Sequence, residues 1–298
     1  MAIVCFVSCN GLGPTVMLGQ VLFYLLKINP FNNYIFKTNN VDRYEFIKKN
    51  YCPKIKYCPA YDITKNDFVL HIINPRNIPT KGRDIFIDNI GDYWNYIYKN
   101  NIYLERLFLF KNGILESNYY FVSSLQENKT PWGQSYKKYL FVDDYIKKLQ
   151  LGDNLSTEPI FFGSYKEKNK VWDTSIKEKF NFLITSDRKI VADAIRTRET
   201  IISHPGMFSI SESLFLTKPY VYIHPANMEQ NLNAEIITNN GLGKVITDEE
   251  IPTVDKQIVE FLEHKKIFEK NIIEFKKSNN LYNNNSLFNF LDGIINDF

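Results

Sequence analysis

Cysteine and histidine are both scarce in this 298-residue sequence, at four residues each. The cysteines, Cys5, Cys9, Cys52 and Cys58, all fall in the first fifth of the chain. They lack both the tight Cys-x-x-Cys spacing and the nearby histidine of a zinc centre, so no metal site is expected. Cys5 and Cys9 lie in or beside an apolar run, where a free thiol behaves as a small hydrophobe. This usage reads as that of a protein kept in a reducing cytoplasm. An excess of one charge is missing too. Lysine and arginine number 36 against 33 acids, a net +3, and no arginine-rich run occurs. No nucleic-acid partner is expected from that balance.

Long apolar runs are nearly absent. The N-terminal stretch MAIVCFVSCNGLGPTVMLGQVLFYLLKI carries no charge before Lys27. It has no basic leader, and Gly11, Gly13 and Pro14 break it too early for a spanning segment of about 20 residues. No other stretch could span a bilayer. The GxGxxG fingerprint of dinucleotide folds and the Gly-Lys-Ser/Thr of a P-loop are also missing, which argues against NAD and ATP as ligands.

What is present is the composition of an ordinary globular protein, 44% hydrophobic with a mean hydropathy of -0.28. The length suits one large domain or two medium ones. Strand and helix patterns alternate from the start. AIVCFVSC, NNYIFKT, DFVLHII and RDIFIDNI read as strands. TVMLGQVLFYLLK reads as a helix buried on nearly every face, and VDRYEFIKKNY as an amphipathic one. The middle is aromatic, and NIYLERLFLF, NYYFVSSL and YLFVDDYI look strand-like or ambiguous. After the loop QLGDNLSTEP the alternation restarts. IFFGS, FNFLITS, TIISH and PYVYIH are expected strands. VWDTSIKEKF, DRKIVADAIRTRE, MFSISESLFLT and EQNLNAEIITNN are expected helices, the last stopped by Gly241. The expected fold is therefore α/β, with two Rossmann-like domains whose sheets are mostly parallel. The domains are placed at 1–155 and 156–298. Leu287, Phe288, Leu291, Ile294, Ile295 and Phe298 make an apolar face on a final helix, which is expected to dock back onto the protein, with the first domain as the candidate surface.

Two stretches place a strand, a small-residue turn and a helix in succession: SCNGLGPT and ISHPGMFS. A third, FGSYKEKN, shares the strand and turn. Such turns free backbone N–H groups at a helix start and direct the positive end of its dipole at the guest, which favours anions and phosphates above all. The second turn is the richer one. His204 can donate to a phosphate oxygen, Gly206 lets the backbone come close, and Ser209 sits in the first helical turn. Glu212 follows on the same face, and its acceptor-only carboxylate suits vicinal hydroxyls such as those of a ribose.

HPGMFSISE resembles the nucleotide-sugar signature of the GT-B glycosyltransferases of the UDP-glycosyltransferase/MurG-like superfamily, which in many members reads His-Cys-Gly-Trp-Asn-Ser-x-x-Glu. His204, Gly206, Ser209 and Glu212 fall at matching offsets. Lys218-Pro219 resembles the family's Gly-x-Pro. Glu229-Gln230 with Asn233-Ala234 resembles its Asp/Glu-Gln-x-x-Asn-Ala, shifted by one residue. The resemblance covers about forty residues closely and the whole chain loosely. It implies two domains facing a cleft and a sugar transfer, inverting and metal-independent, from a UDP-, dTDP- or GDP-sugar. His204 and Ser209 would hold the diphosphate, Glu212 the ribose, and Glu229 and Gln230 the sugar. Gly163 and Ser164 would open the donor domain. Asn10, Gly11, Gly13 and Thr15 would lie near the acceptor or the phosphates. The acceptor is a small molecule, lipid or glycan of unknown identity, and no cofactor is implied beyond the nucleotide-sugar co-substrate.

The sequence departs from that pattern at two points. Phe208 stands where many members carry Asn. The first turn has Pro14 and Thr15 where relatives carry a general-base histidine, and neither can act as a base near pH 7. Asp88, after the strand IFI, is the candidate base, with Asp92 close behind. His71 inside an apolar strand reads as a core histidine, His224 could line the sugar site, and His264 lies in a charged helix. A nucleotide-sugar hydrolase or epimerase, and a non-catalytic GT-B-like binding subunit, are the alternative readings.

Overall fold

AIVCFV forms strand β1 (Ala2–Val7), and all six residues are buried. A strand covered on both faces belongs in a parallel sheet flanked by helices, so it reads as a continuous apolar run. The structure, a computed structural model, describes residues 1–8, 13–74, 78–88, 91–136, 138–152, 155–162, 181–183, 187–223, 225, 227–283 and 285–296. It divides into two units, Met1–Tyr139 with Tyr282–Phe298, and Leu140–Leu281. The division therefore precedes the loop QLGDNLSTEP from which the sequence boundary was drawn.

The first unit holds β1, β2 (Asn33–Phe36), β3 (Lys56–Tyr57), β4 (Phe68–Ile72), β5 (Arg83–Asp88) and β6 (Tyr119–Val122). Their order is β3-β2-β1-β4-β5-β6, and every neighbouring pair is parallel. The order reverses between β1 and β4. Ligands of open α/β sheets gather beyond the carboxyl ends of the strands at such a reversal. The helix Gly13–Ile28 follows β1 and is buried along most of its length. Gly19 is required there by close approach, because a Cβ would lie 2.3 Å from the Tyr51 ring. The final helix, Asn285–Asn296, belongs to this unit. Phe288 stacks on Tyr24 with ring centroids 4.4 Å apart, and Phe290 meets Tyr119 and Phe121 edge-on.

NIYLERLFLF is not a strand; it supplies most of the helix Leu104–Glu116. Leu107, Phe110 and Ile114 face inward at helical spacing, while Leu104, Phe108, Leu109 and Leu115 stay exposed. Apolar residues on both faces hid the period. YLFVDDYI splits into β7 (Tyr139–Leu140) and a short helix, Asp144–Lys147, capped by the Asp143 side chain.

The second unit holds β8 (Ile160–Phe162), β9 (Asn181–Leu183), β10 (Ile201–Ser203), β11 (Val221–Ile223) and β12 (Lys244–Ile246). They are all parallel, in the order β12-β11-β10-β8-β9. Here the order reverses between β8 and β10. One core cluster joins Phe161, Ile202, Val221, Ile223 and Ile246 to Val254, Ile258 and Phe261. The helix Val254–Ser278 thus covers one face of this sheet. The expected helix VWDTSIKEKF lies outside the described residues. Among those described, no helix is long and apolar enough to cross a membrane.

Candidate functional site

At the reversal point of the second sheet, β8 and β10 lie side by side, with Phe162 paired to Ser203. Gly163 and Ser164, next after β8, lie outside the described residues, as does His224. After β10 the chain turns through His204, Pro205 and Gly206 into the helix Met207–Leu216. His204 is buried, its ring edge-on to Phe161 at 5.6 Å.

Gly206 is the N-cap of that helix, with φ -80 and ψ 151. Any residue adopts those angles, and a Cβ there would meet none of the described residues within 4 Å. Glycine is therefore needed neither for the backbone nor for packing, and what it leaves is open space against the chain. Among the described residues the helix start also has no side-chain cap, and its first turn holds no acid. The neighbouring helices Arg188–Thr197 and Met228–Asn240 are capped by Asp187 and Asn227. N–H groups and a positive dipole end facing open space suit an anion.

Ser209 braces the same turn, its hydroxyl lying 2.7 Å from the His204 carbonyl and 2.9 Å from that of Gly206. To donate to a phosphate it must leave these carbonyls. Asn233, from the helix Met228–Asn240, is buried and donates its amide to the Pro205 carbonyl at 2.9 Å. The resemblance marked this asparagine without giving it a role; the structure makes it the strut that fixes the His-Pro-Gly turn. The same helix begins with Glu229 and Gln230, both partly exposed in its first turn.

Glu212 lies deeper along the Met207–Leu216 helix and is buried. Its Oε1 accepts from Nη2 of Arg188, whose Nε donates at 2.5 Å to Asp143. Burial pushes the Glu212 carboxyl above its ordinary range, and Asp143 adds to this; Arg188 pulls the other way. Arg188 and Asp143 were not among the sequence candidates. They come from separate elements, and no spacing in the chain marks them.

In the first unit, Gly13 opens its helix, while Asn10 and Gly11 lie outside the described residues. Thr15 is buried and accepts from the Arg43 guanidinium. Asp88 ends β5 and is fully buried. It accepts from Trp94 Nε1 at 3.0 Å and, at a long 3.4 Å, from the Tyr120 hydroxyl. Asp92 binds the backbone N–H groups of Leu125, Gln126 and Glu127, which anchors that loop. His71 is a core residue, stacked on Phe6 and 2.6 Å from Asp84. His264 lies exposed on the helix Val254–Ser278. Among the described residues, no cluster of three histidine, cysteine or acidic side chains could hold a metal ion.

Comparison with known proteins agrees with this fold. Residues 161–284 match the glycosyltransferase family 28 C-terminal domain. No curated protein sequence matches the chain. Among solved structures, MurG of Acinetobacter baumannii aligns over 100% of this chain and 99% of its own, with a TM-score of 0.60 at 10% identity. A UDP-glucose: anthocyanidin 3-O-glucosyltransferase in complex with UDP aligns over 100% and 99%, with a TM-score of 0.60 at 11% identity. A calicheamicin glycosyltransferase aligns over 93% of both chains, with a TM-score of 0.60 at 8% identity. At these identities the structures speak for the fold, and the sequence family for the second half. Residues 161–284 thus match the glycosyltransferase family 28 C-terminal domain, and the chain as a whole has the GT-B fold of these structures, two Rossmann-like units with parallel sheets.

Proposed function

We propose that this protein transfers a sugar from a nucleoside-diphosphate donor to an acceptor, with inversion and without a metal ion. The observation that carries the proposal is the uncapped start of the Met207–Leu216 helix, open above Gly206 and set at the strand-order reversal. In this reading the N–H groups at that start, with His204 and Ser209, take the diphosphate. Their fixed dipoles stabilise the charge on the departing group, the task a cation would otherwise perform. Glu212 takes the ribose hydroxyls, and Glu229 and Gln230 the sugar. UDP is the first nucleotide to test, since two of the similar solved structures are complexes with UDP.

Asp88 is the proposed base. It is fully buried and holds the Trp94 indole N–H, so an acceptor hydroxyl reaches it only if the residues around it move. Asp88→Asn separates a base from a brace. Lost turnover with an unchanged melting temperature supports the base, whereas retained turnover with a lowered melting temperature makes Asp88 structural.

The donor site is tested by thermal melts with UDP, GDP and dTDP. A nucleotide at about 100 times its Kd should add about 2.7 kcal/mol of stability. Gly206→Val fills the open space, and should abolish that gain while costing about 1 kcal/mol of stability without nucleotide, since valine is disfavoured at an N-cap. Equal stabilisation of wild type and G206V would place the nucleotide elsewhere.

A further inference from the structure

We propose that Arg188 is a positioning residue of the donor site: it clamps the Glu212 carboxylate in place, and Asp143 anchors Arg188 in turn. The inference rests on the reading of Glu212 as the ribose-binding carboxylate. Its own observation is the bridge itself, Nε to Asp143 at 2.5 Å and Nη2 to Glu212. The three side chains are almost wholly buried, at 1%, 13% and 6% exposure for Asp143, Arg188 and Glu212. A buried carboxylate without a cation would protonate or turn away toward water. A protonated Glu212 loses acceptor capacity toward hydroxyl donors. A guanidinium presents its N–H groups in a rigid fork, so one arginine can hold two acids at fixed geometry. An ammonium, a compact point charge, cannot reproduce that.

The sequence arranges this economically. Asp143 precedes and caps the helix Asp144–Lys147, and Arg188 is the first residue of the helix Arg188–Thr197. Glu212 comes from the helix whose start forms the proposed phosphate cradle. The clamp therefore ties three helix segments together through one guanidinium. From the β11 side, Tyr220 and Tyr222 face the same group; burial pushes both hydroxyls up, and the charge on Glu212 adds to this. They stay protonated in the ordinary range. The groups that govern Glu212 as pH changes are thus Arg188, which favours its charge, and Asp143, which opposes it.

The test measures UDP affinity against pH by calorimetry, with GDP and dTDP in parallel. Glu212→Gln should weaken binding at every pH and remove this group's pH dependence. Arg188→Met should weaken binding on the order of tenfold, about the contribution of one charge-assisted hydrogen bond. It should also move the loss of binding on acidification to higher pH. Arg188→Lys keeps the charge without the fork, so it should restore the pH profile but only part of the affinity. Asp143→Asn should move the acidic loss to lower pH, opposite to R188M, and it carries the test if R188M fails to fold. Wild-type affinity and pH profile in R188M, or an acidic loss of binding that does not move at all in D143N, would overturn the clamp. Unchanged binding in E212Q would instead remove the ribose assignment on which the clamp rests.

Discussion

Lys218 is a buried ammonium whose Nζ donates to the carbonyls of Ile195 at 2.6 Å and Arg198 at 2.5 Å. It thereby satisfies carbonyls at the end of the helix Arg188–Thr197, where a cation also meets the negative end of the dipole. Burial pushes its pKa down to about 8, nearby Lys265 adds to this, and Glu199 opposes it. A lysine whose folded pKa is lowered costs stability while it is charged. That cost is complete below about pH 8 and is relieved as pH rises from there toward the ordinary lysine value. The stability of wild type relative to Lys218→Met should therefore climb across that window, by at most about 3 kcal/mol. Chemical denaturation of both proteins at several pH values checks this. A difference that falls or stays flat with pH would show that the ammonium is not desolvated. The sequence showed Lys218 only as part of a resemblance to a Gly-x-Pro turn; its capping role depends on carbonyls some twenty residues earlier in the chain.

At the scale of elements, the His-Pro-Gly turn is held from outside itself. Asn233 reaches it from the next helix, and Ser209 braces it from within. Replacing Asn233 with Ala leaves the buried Pro205 carbonyl without this donor, at a cost of about 1–3 kcal/mol. Asn233→Asp should cost more, since a carboxylate would then face a carbonyl. Urea melts of the two variants give the ranking, and an N233D as stable as wild type would remove the strut. The helix that carries Asn233 was legible from Gly241, which ends it at φ 56. The helix Leu104–Glu116 was not, because exposed Leu104, Phe108 and Leu115 blurred its inward face. Periodicity reports amphipathic contrast, and a helix apolar on both sides offers little.

At the scale of the whole molecule, the chain leaves the first unit at Tyr139 and rejoins it at Tyr282. The returning helix buries Leu287, Phe288, Leu291 and Ile294. Ending the chain at Leu281 should cost the first unit several kcal/mol, from about 1.5–3 kcal/mol for each buried side chain. Hydrogen exchange is the measurement: protection should fall in β6 and in the helix Gly13–Ile28. Unchanged protection there would show that the first unit does not need the tail. Leu291→Asp, at a fully buried position, should reproduce the loss.

Three features follow from local order along the chain alone: the alternation of strands and helices, the parallel sheets it implies, and the turn bearing His204, Gly206, Ser209 and Glu212. Strand propensity, glycine placement and motif spacing are properties of neighbouring residues, so they survive in one dimension. Tertiary structure alone decided where the strand order reverses, and that Thr15 and Asp88 lie buried. It also decided that Glu212 shares Arg188 with Asp143. These depend on which distant segments come to lie side by side, and a buried charge finds its partner through space, by electrostatic need, whatever the separation in sequence.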